Sequence, residues 1–317
     1  MTTVINVPPS LDEHTMETVF EQLAPLPADE KVVIDARHAR WASPYGLTTL
    51  LCVGQSRLER ADFTVPENAD TASYWARTGF FRHAAELYEL HGSVPRHRDA
   101  GESDVLLEIT PIVKTDDIYG VVGRIKDKSA EILQGQLGLD PAVTARFSLT
   151  LSEACGNIVE HAGLGGWVAV QTYAYRKRLG RRVVVIAVCD AGVGFRQSLE
   201  TSPAHRAGDR WDDSRALEAA VLRAVSRFRH GDDGRGQGLA HIRKFVAKWN
   251  GKLSVRSGTA RLAIVPGWDE DEPMQDALPD FPGAQMQIVI PEKIADLAKA
   301  APTLGNTTSR APTRERR

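Results

Sequence analysis

The chain is poor in the residues that mark several classes of protein. Its 317 residues include three cysteines, and no two of them form a C-x-x-C pair. Each lies in an apolar run, which is typical of buried free thiols in a reducing cytoplasm and disfavours disulfides or a zinc site. These cysteines are Cys52, Cys155 and Cys189. No apolar stretch approaches a membrane span, and the start of the chain shows no secretory leader, so we expect a cytoplasmic protein.

An excess of one charge is also missing. The chain has 39 basic and 41 acidic residues and a formal net charge of -2, which gives no basis for nucleic-acid or membrane binding. Two common nucleotide motifs are absent as well. There is no GxxxxGK[ST] loop, and no GxGxxG follows a strand with an acid downstream, so P-loop and dinucleotide-binding folds are disfavoured.

Three short motifs in the second half carry the chemical information. The first lies on a helix that Asp140-Pro141 is expected to start, since Asp suits the N-cap and Pro the first helical position. Glu153, Asn157 and His161 are four residues apart and share one stripe of this helix. An amide oxygen suits Mg²⁺, and a carboxylate can take a proton from a hydroxyl that attacks a phosphate. A solvated polar face is the alternative.

The second motif places an acid at the end of a buried strand. Residues 182–189 form an apolar run rich in β-branched residues, which predicts a buried strand. Asp190 follows it and can accept a hydrogen bond from the exocyclic amine of a base. Gly192 and Gly194 allow the backbone to approach a ligand closely. An ordinary Asp-Gly turn is the alternative.

The third motif is a loop of alternating glycines, Gly234, Gly236 and Gly238, before a helical pattern that starts at Leu239. Such a loop can turn successive N–H groups toward an anion at a helix N-terminus. Arg235 lies inside the loop and is therefore a candidate phosphate contact.

Together, residues from about 105 to 291 resemble the GHKL ATP-binding superfamily, which includes gyrase, histidine kinases, MutL and the anti-sigma serine kinases. The first motif, completed by His161, is closest to the anti-sigma form. The resemblance implies bound ATP and Mg²⁺, with Glu153 as general base, Asn157 as magnesium ligand and Asp190 as the acid that reads adenine.

The resemblance also implies roles for the glycines. Gly192 and Gly194 would shape the adenine side, and the loop from Gly234 to Leu239 would form the lid hinge and phosphate cradle. The segment 281–291 resembles the last glycine box, around Gly283, and the final strand. The family usually has Thr after this glycine, and the chain has Ala284, which removes one hydroxyl from the expected phosphate contacts.

The first hundred residues resemble a STAS domain, the fold of anti-anti-sigma factors. A strand at 31–35 precedes a helical pattern at 46–58, and the family's Asp-Ser-Ser-Gly-Leu motif here begins Ser43-Pro-Tyr45. Tyr45 takes the place of the phosphoacceptor serine. Ser43 is a candidate phosphosite by proximity only, and a docking domain without a phosphosite is the alternative.

The sequence therefore predicts an α/β (α+β) protein. It comprises a STAS-like domain at 1–100, a two-layer GHKL sandwich at 101–295 and a disordered basic tail at 296–317. The expected function is that of a Mg·ATP-binding regulator that phosphorylates a serine or threonine of an unknown partner protein, or hydrolyses ATP slowly. The alternative is an ATP-responsive interaction switch without catalysis. The family also implies a homodimer.

Overall fold

The computed structural model describes residues 2–96, 106–113, 163–175, 179–200, 211–223 and 238–292, with scattered residues between 123 and 158. Helices and strands are mixed throughout these parts, which confirms the α/β class. No helix among the described residues is long and apolar enough to cross a membrane.

The N-terminal unit, residues 2–91, is built on a parallel four-stranded sheet. Its strands, in spatial order, are β1 (Thr3–Asn6), β3 (Val32–Asp35), β5 (Ala61–Thr64) and β6 (Tyr88–His91). A short parallel pair joins β2 (Ser10–Leu11) to β4 (Trp41–Ala42). The helices are α1 (Glu17–Leu23), α2 (Pro44–Ser56), α3 (Ala69–Arg77) and α4 (Phe80–Leu87).

Helix α2 is buried on all sides over most of its length. The Ser43 side chain caps its N-terminus by accepting a hydrogen bond from the Gly46 N–H, and Pro44 occupies the first helical position. Every residue from 44 to 54 is buried. A helix that is apolar all round must be covered on every side, and α2 lies between the N-terminal unit and a second sheet.

That second sheet has seven strands. In spatial order they are β12 (Met274–Gln275), β11 (Ala260–Ile264), β10 (Lys252–Gly258), β13 (Phe281–Pro291), β9 (Arg181–Asp190), β8 (Gly166–Tyr175) and β7 (Leu106–Ile112). All neighbouring pairs are antiparallel. Three helical segments follow β9 or precede β10: α5 (Gly194–Ser198), α6 (Asp213–Leu217), which continues as a π-helical turn (Glu218–Leu222), and α7 (Gly238–Lys248).

Both faces of this sheet are covered, because neighbouring strand residues point to opposite sides. We call the front the face that packs on α6 and α7, where Val188 meets Leu217 and Val246 in one apolar cluster. The back packs on the N-terminal unit, and there Ala187 and Cys189 join its core. The N-terminal unit and the back of the sheet therefore share one continuous hydrophobic core.

Charged side chains are buried where β10 and β11 face the N-terminal unit. Lys252, Arg256 and Arg261 are each at most 2% exposed. Lys252 Nζ lies 2.8 Å from Glu13 Oε1, and Arg256 Nε lies 2.8 Å from Glu17 Oε1. Two of the three cations thus pair with acids of the N-terminal unit.

Several predicted elements are present. The final strand expected at 281–291 has those bounds, and the three cysteines are buried and free, as predicted. Asp212 caps α6 by accepting a hydrogen bond from the Arg215 N–H. The tail predicted at 296–317 lies outside the described residues. The domain bounds and the STAS likeness stay predictions.

Candidate nucleotide site

Asp190 ends β9 at the front of the sheet and is 5% exposed. Its Oδ1 accepts hydrogen bonds from two backbone N–H groups, Gly192 at 2.8 Å and Ala284 at 3.3 Å. Its Oδ2 accepts no hydrogen bond from the described residues. The backbone donors therefore fix the orientation of the carboxylate through one oxygen, and among the described residues the other oxygen has no donor.

Burial raises the pKa of Asp190 to about 6, and the two backbone hydrogen bonds oppose this rise. No ion pair joins Asp190 to a cation in the described part of the chain. At neutral pH the group is mostly ionised, because the pH lies above this pKa. It is then an acceptor only, as an exocyclic amine requires.

Glycines bring the backbone close to Asp190. Gly283 has a φ of +82°, and a Cβ added to it would lie 2.2 Å from the Asp190 carbonyl oxygen. Gly194 has a φ of +71°, and a Cβ there would lie 2.7 Å from Ser257 Oγ. Both conformations favour glycine, and neither position has room for a side chain. The structure thus brings together four predicted site residues: Asp190, Gly192, Gly194 and Gly283.

Two further side chains hold this arrangement and were missed by the sequence analysis. Ser257 Oγ accepts a hydrogen bond from the Phe195 N–H at 3.0 Å and donates to the Gly283 carbonyl at 2.7 Å. Gln285, fully buried, donates through Nε2 to the carbonyls of Asp190 and Pro282, both at 2.9 Å. A polar residue within the apolar strand β13 was the available signal for Gln285.

The remaining predicted residues fall into two groups. Gly238 is the first residue of α7 and is buried, and Leu239 packs against the front cluster. The other group lies outside the described residues and comprises Glu153, Asn157, His161, Gly234, Arg235 and Gly236. Near the first motif, Cys155 and Ile158 pack in the front cluster, so this segment contributes to the front of the sheet.

Comparison with known proteins agrees with this geometry. Residues 122–262 match the family model of the histidine kinase-like ATPase domain. The match includes β9 with Asp190 and α7, and it ends before β13. A search of curated proteins finds none that matches the chain. The match supports a GHKL-type ATPase domain in this segment of the chain and ATP binding by it.

Proposed function

We propose that the chain is a Mg·ATP-binding regulatory protein that transfers the γ-phosphoryl group to a serine or threonine of a partner protein, in the manner of anti-sigma kinases. The observation that carries the ATP site is Asp190, a buried acid with one oxygen fixed by backbone N–H groups and the other without a donor among the described residues. Its free oxygen would accept from the adenine amine. Gly283 and Gly194 let the backbone pack closely around this acid, where a side chain would collide.

The chemical step falls to the first motif. The partner's hydroxyl oxygen bonds to the γ-phosphorus, the bond from that phosphorus to the bridging oxygen breaks, and ADP leaves. Glu153 takes the hydroxyl proton. Asn157 would hold Mg²⁺, which supplies positive charge to the phosphate oxygens. Gly234, Arg235, Gly236 and Gly238 would cradle the phosphates at the start of α7.

The first test is incubation with γ-labelled ATP and Mg²⁺, beside a Glu153→Ala control. Labelled protein or released phosphate that disappears in Glu153→Ala supports catalysis centred on Glu153. ATP binding in both proteins without turnover, even with candidate partner proteins present, overturns the kinase proposal.

A second candidate is an ATP-responsive interaction switch without phosphoryl transfer, and the N-terminal unit favours it. Ser43 is 3% exposed with its hydroxyl engaged as a helix cap, and Tyr45 is 1% exposed. Both lie at the back of the sheet, whereas Asp190 lies at the front. Neither residue is therefore presented as a phosphoacceptor while the unit is docked. This supports a STAS-like unit that acts by docking. Nucleotide-dependent capture of the same partner by wild type and Glu153→Ala distinguishes the switch from the kinase.

A further inference from the structure

The strands that carry the candidate site also contact the N-terminal unit at the same ends. Alternation along a strand places adjacent residues on opposite faces. Asp190 ends β9 on the front, and the preceding residue, Cys189, points to the back. Thr48 Oγ1 lies 3.2 Å and Thr49 Oγ1 3.7 Å from Cys189 Sγ. Helix α2 thus contacts the residue directly before the candidate base-reading acid.

The neighbouring strand β8 repeats this arrangement. A Cβ added to Gly166 would lie 3.1 Å from Asp190 Cβ, so this glycine lines the front next to the acid. The following residue, Trp167, points to the back. Its Nε1 donates to Gln55 Oε1 at 2.6 Å, and its ring lies 4.9 Å from the His83 ring. Gln55 belongs to α2 and His83 to α4, so two helices of the N-terminal unit fix this strand end.

The third strand is β13. The Phe281 ring stacks on the Phe20 ring of α1 at 4.3 Å, two residues before Gly283. The Arg256 guanidinium also packs on the Phe20 ring, 4.3 Å from its centre. Arg256 pairs in addition with Glu17, which lies on α1 like Phe20. Helix α1 therefore fixes the strand start from which Gly283 approaches Asp190.

We propose that the docked N-terminal unit is a positioning element of the nucleotide site, holding Asp190 and Gly283 in place from behind the sheet. This inference rests on the proposed ATP site. Phe20, Thr48, Thr49 and Gln55 are its positioning residues, since they act through Phe281, Cys189 and Trp167 and not on the ligand. Because coupling between two sites is reciprocal, ATP binding in turn strengthens the docking.

The test compares Phe20→Leu with Phe63→Leu. Both residues are fully buried in the N-terminal unit, but the ring contacts of Phe63 are to Trp75, Phe80 and Tyr88 of its own unit. Calorimetric titration with ATP and GTP gives the affinity ratio, which a general loss of stability does not change at temperatures where both variants are folded. We expect Phe20→Leu to lower the ATP-to-GTP affinity ratio about fivefold to tenfold, and Phe63→Leu to leave it unchanged.

A second pair of variants keeps the test possible if Phe20→Leu does not fold. Gln55→Leu removes the acceptor of the Trp167 N–H, whereas Gln22→Leu removes hydrogen bonds to Asn6 within the N-terminal unit. The ATP-to-GTP affinity ratio should fall in Gln55→Leu and stay unchanged in Gln22→Leu. Equal ratios within both pairs, with wild type binding ATP more tightly than Asp190→Asn does, overturn this inference alone. Wild-type binding no tighter than that of Asp190→Asn overturns the proposed ATP site and this inference with it.

Discussion

Buried charged side chains have different partners on the two faces of the seven-stranded sheet. On the back, Lys252 and Arg256 each lie within 2.8 Å of an acid from the N-terminal unit. On the front, Asp190 is nearly as buried, and its hydrogen bonds from the described residues come from two backbone N–H groups. The pairing on the back is a structural device that joins two parts of the chain. Burial of the Asp190 carboxylate disfavours its charged form, and groups with a pKa shifted in this way concentrate at functional sites.

The pKa values follow this difference. Burial lowers the pKa of Lys252, but its pairing with Glu13 and Asp271 together outweighs burial and raises this pKa, so the charge on the back is favoured in the folded protein. Burial raises the pKa of Asp190 to about 6, so the charge on the front is disfavoured. A ligand that donates a hydrogen bond to Asp190 would relieve this penalty.

The largest expected effect comes from breaking one back pair. Glu17→Gln leaves Arg256 buried without its counter-ion, and we expect a loss of roughly 3–5 kcal/mol in the free energy of unfolding, measured by urea titration. The double replacement Glu17→Leu with Arg256→Met should lose much less, because no charge is then left unpaired. A single variant as stable as wild type would show that the pair does not hold the two parts together.

Gly283→Ala is expected to cause the next largest loss of stability. The positive φ alone destabilises a non-glycine residue by roughly 1–3 kcal/mol, and the added Cβ also meets the Asp190 carbonyl at 2.2 Å. Gly180→Ala is the matched control, since its φ is +65° but its Cβ meets no atom of the described residues within 4 Å. Thermal unfolding should show a larger loss for Gly283→Ala, and ATP binding should fall for this variant only. Equal losses for both variants would show that the close approach of Gly283 to the Asp190 carbonyl has no effect of its own.

The pH dependence of ATP binding tests the buried acid on the front of the sheet. Protonation of Asp190 below its pKa of about 6 removes its role as an acceptor, so ATP affinity should fall about tenfold from pH 7 to pH 5. The titration of ATP itself contributes to this change, and Asp190→Asn, titrated at higher ATP concentration, measures that part alone. The same pH profile in both proteins would exclude Asp190 as the titrating group.

The smallest change in stability is expected at the exposed edge of the contact between the N-terminal unit and the seven-stranded sheet. Arg82 pairs with Glu108 of β7 at 3.2 Å, with half of the Arg82 side chain exposed. Glu108→Gln should change the free energy of unfolding by less than about 1 kcal/mol in urea titration, because water and salt screen such a pair. A loss as large as that of Glu17→Gln would mean that burial does not set the strength of these contacts.

Much of the front could be predicted from the sequence, and little of the back. An apolar β-branched run predicted β9, the family resemblance predicted β13, and the spacing of Asp190, Gly192 and Gly194 indicated the candidate site, because these signals are local in the chain. Lys252 and Arg256 alternate along β10, which is the pattern of a solvated face. Their partners lie 239 residues away in the chain, and no local pattern reports such a contact.

The apolar character of α2 indicated burial but not what covers it. Its partner is the back of a sheet whose strands come from the other half of the chain, so only the folded arrangement shows that Thr48 and Gln55 contact Cys189 and Trp167. The polar character of Gln285 was visible in the sequence, but its hydrogen bonds to the Asp190 and Pro282 carbonyls were not, because they depend on the pairing of β13 with β9.

The most direct test measures stability and ATP affinity together in Asp190→Asn. A folded-state pKa raised from 3.8 to about 6 gives stability that is present below 3.8 and lost as the pH rises through 6. At pH 8 the neutral amide should therefore make the protein more stable than wild type by roughly 3 kcal/mol, while ATP affinity and the preference for ATP over GTP both fall. A variant that is less stable than wild type at pH 8 and binds ATP equally well would contradict the assignment of Asp190 as a nucleotide-reading acid.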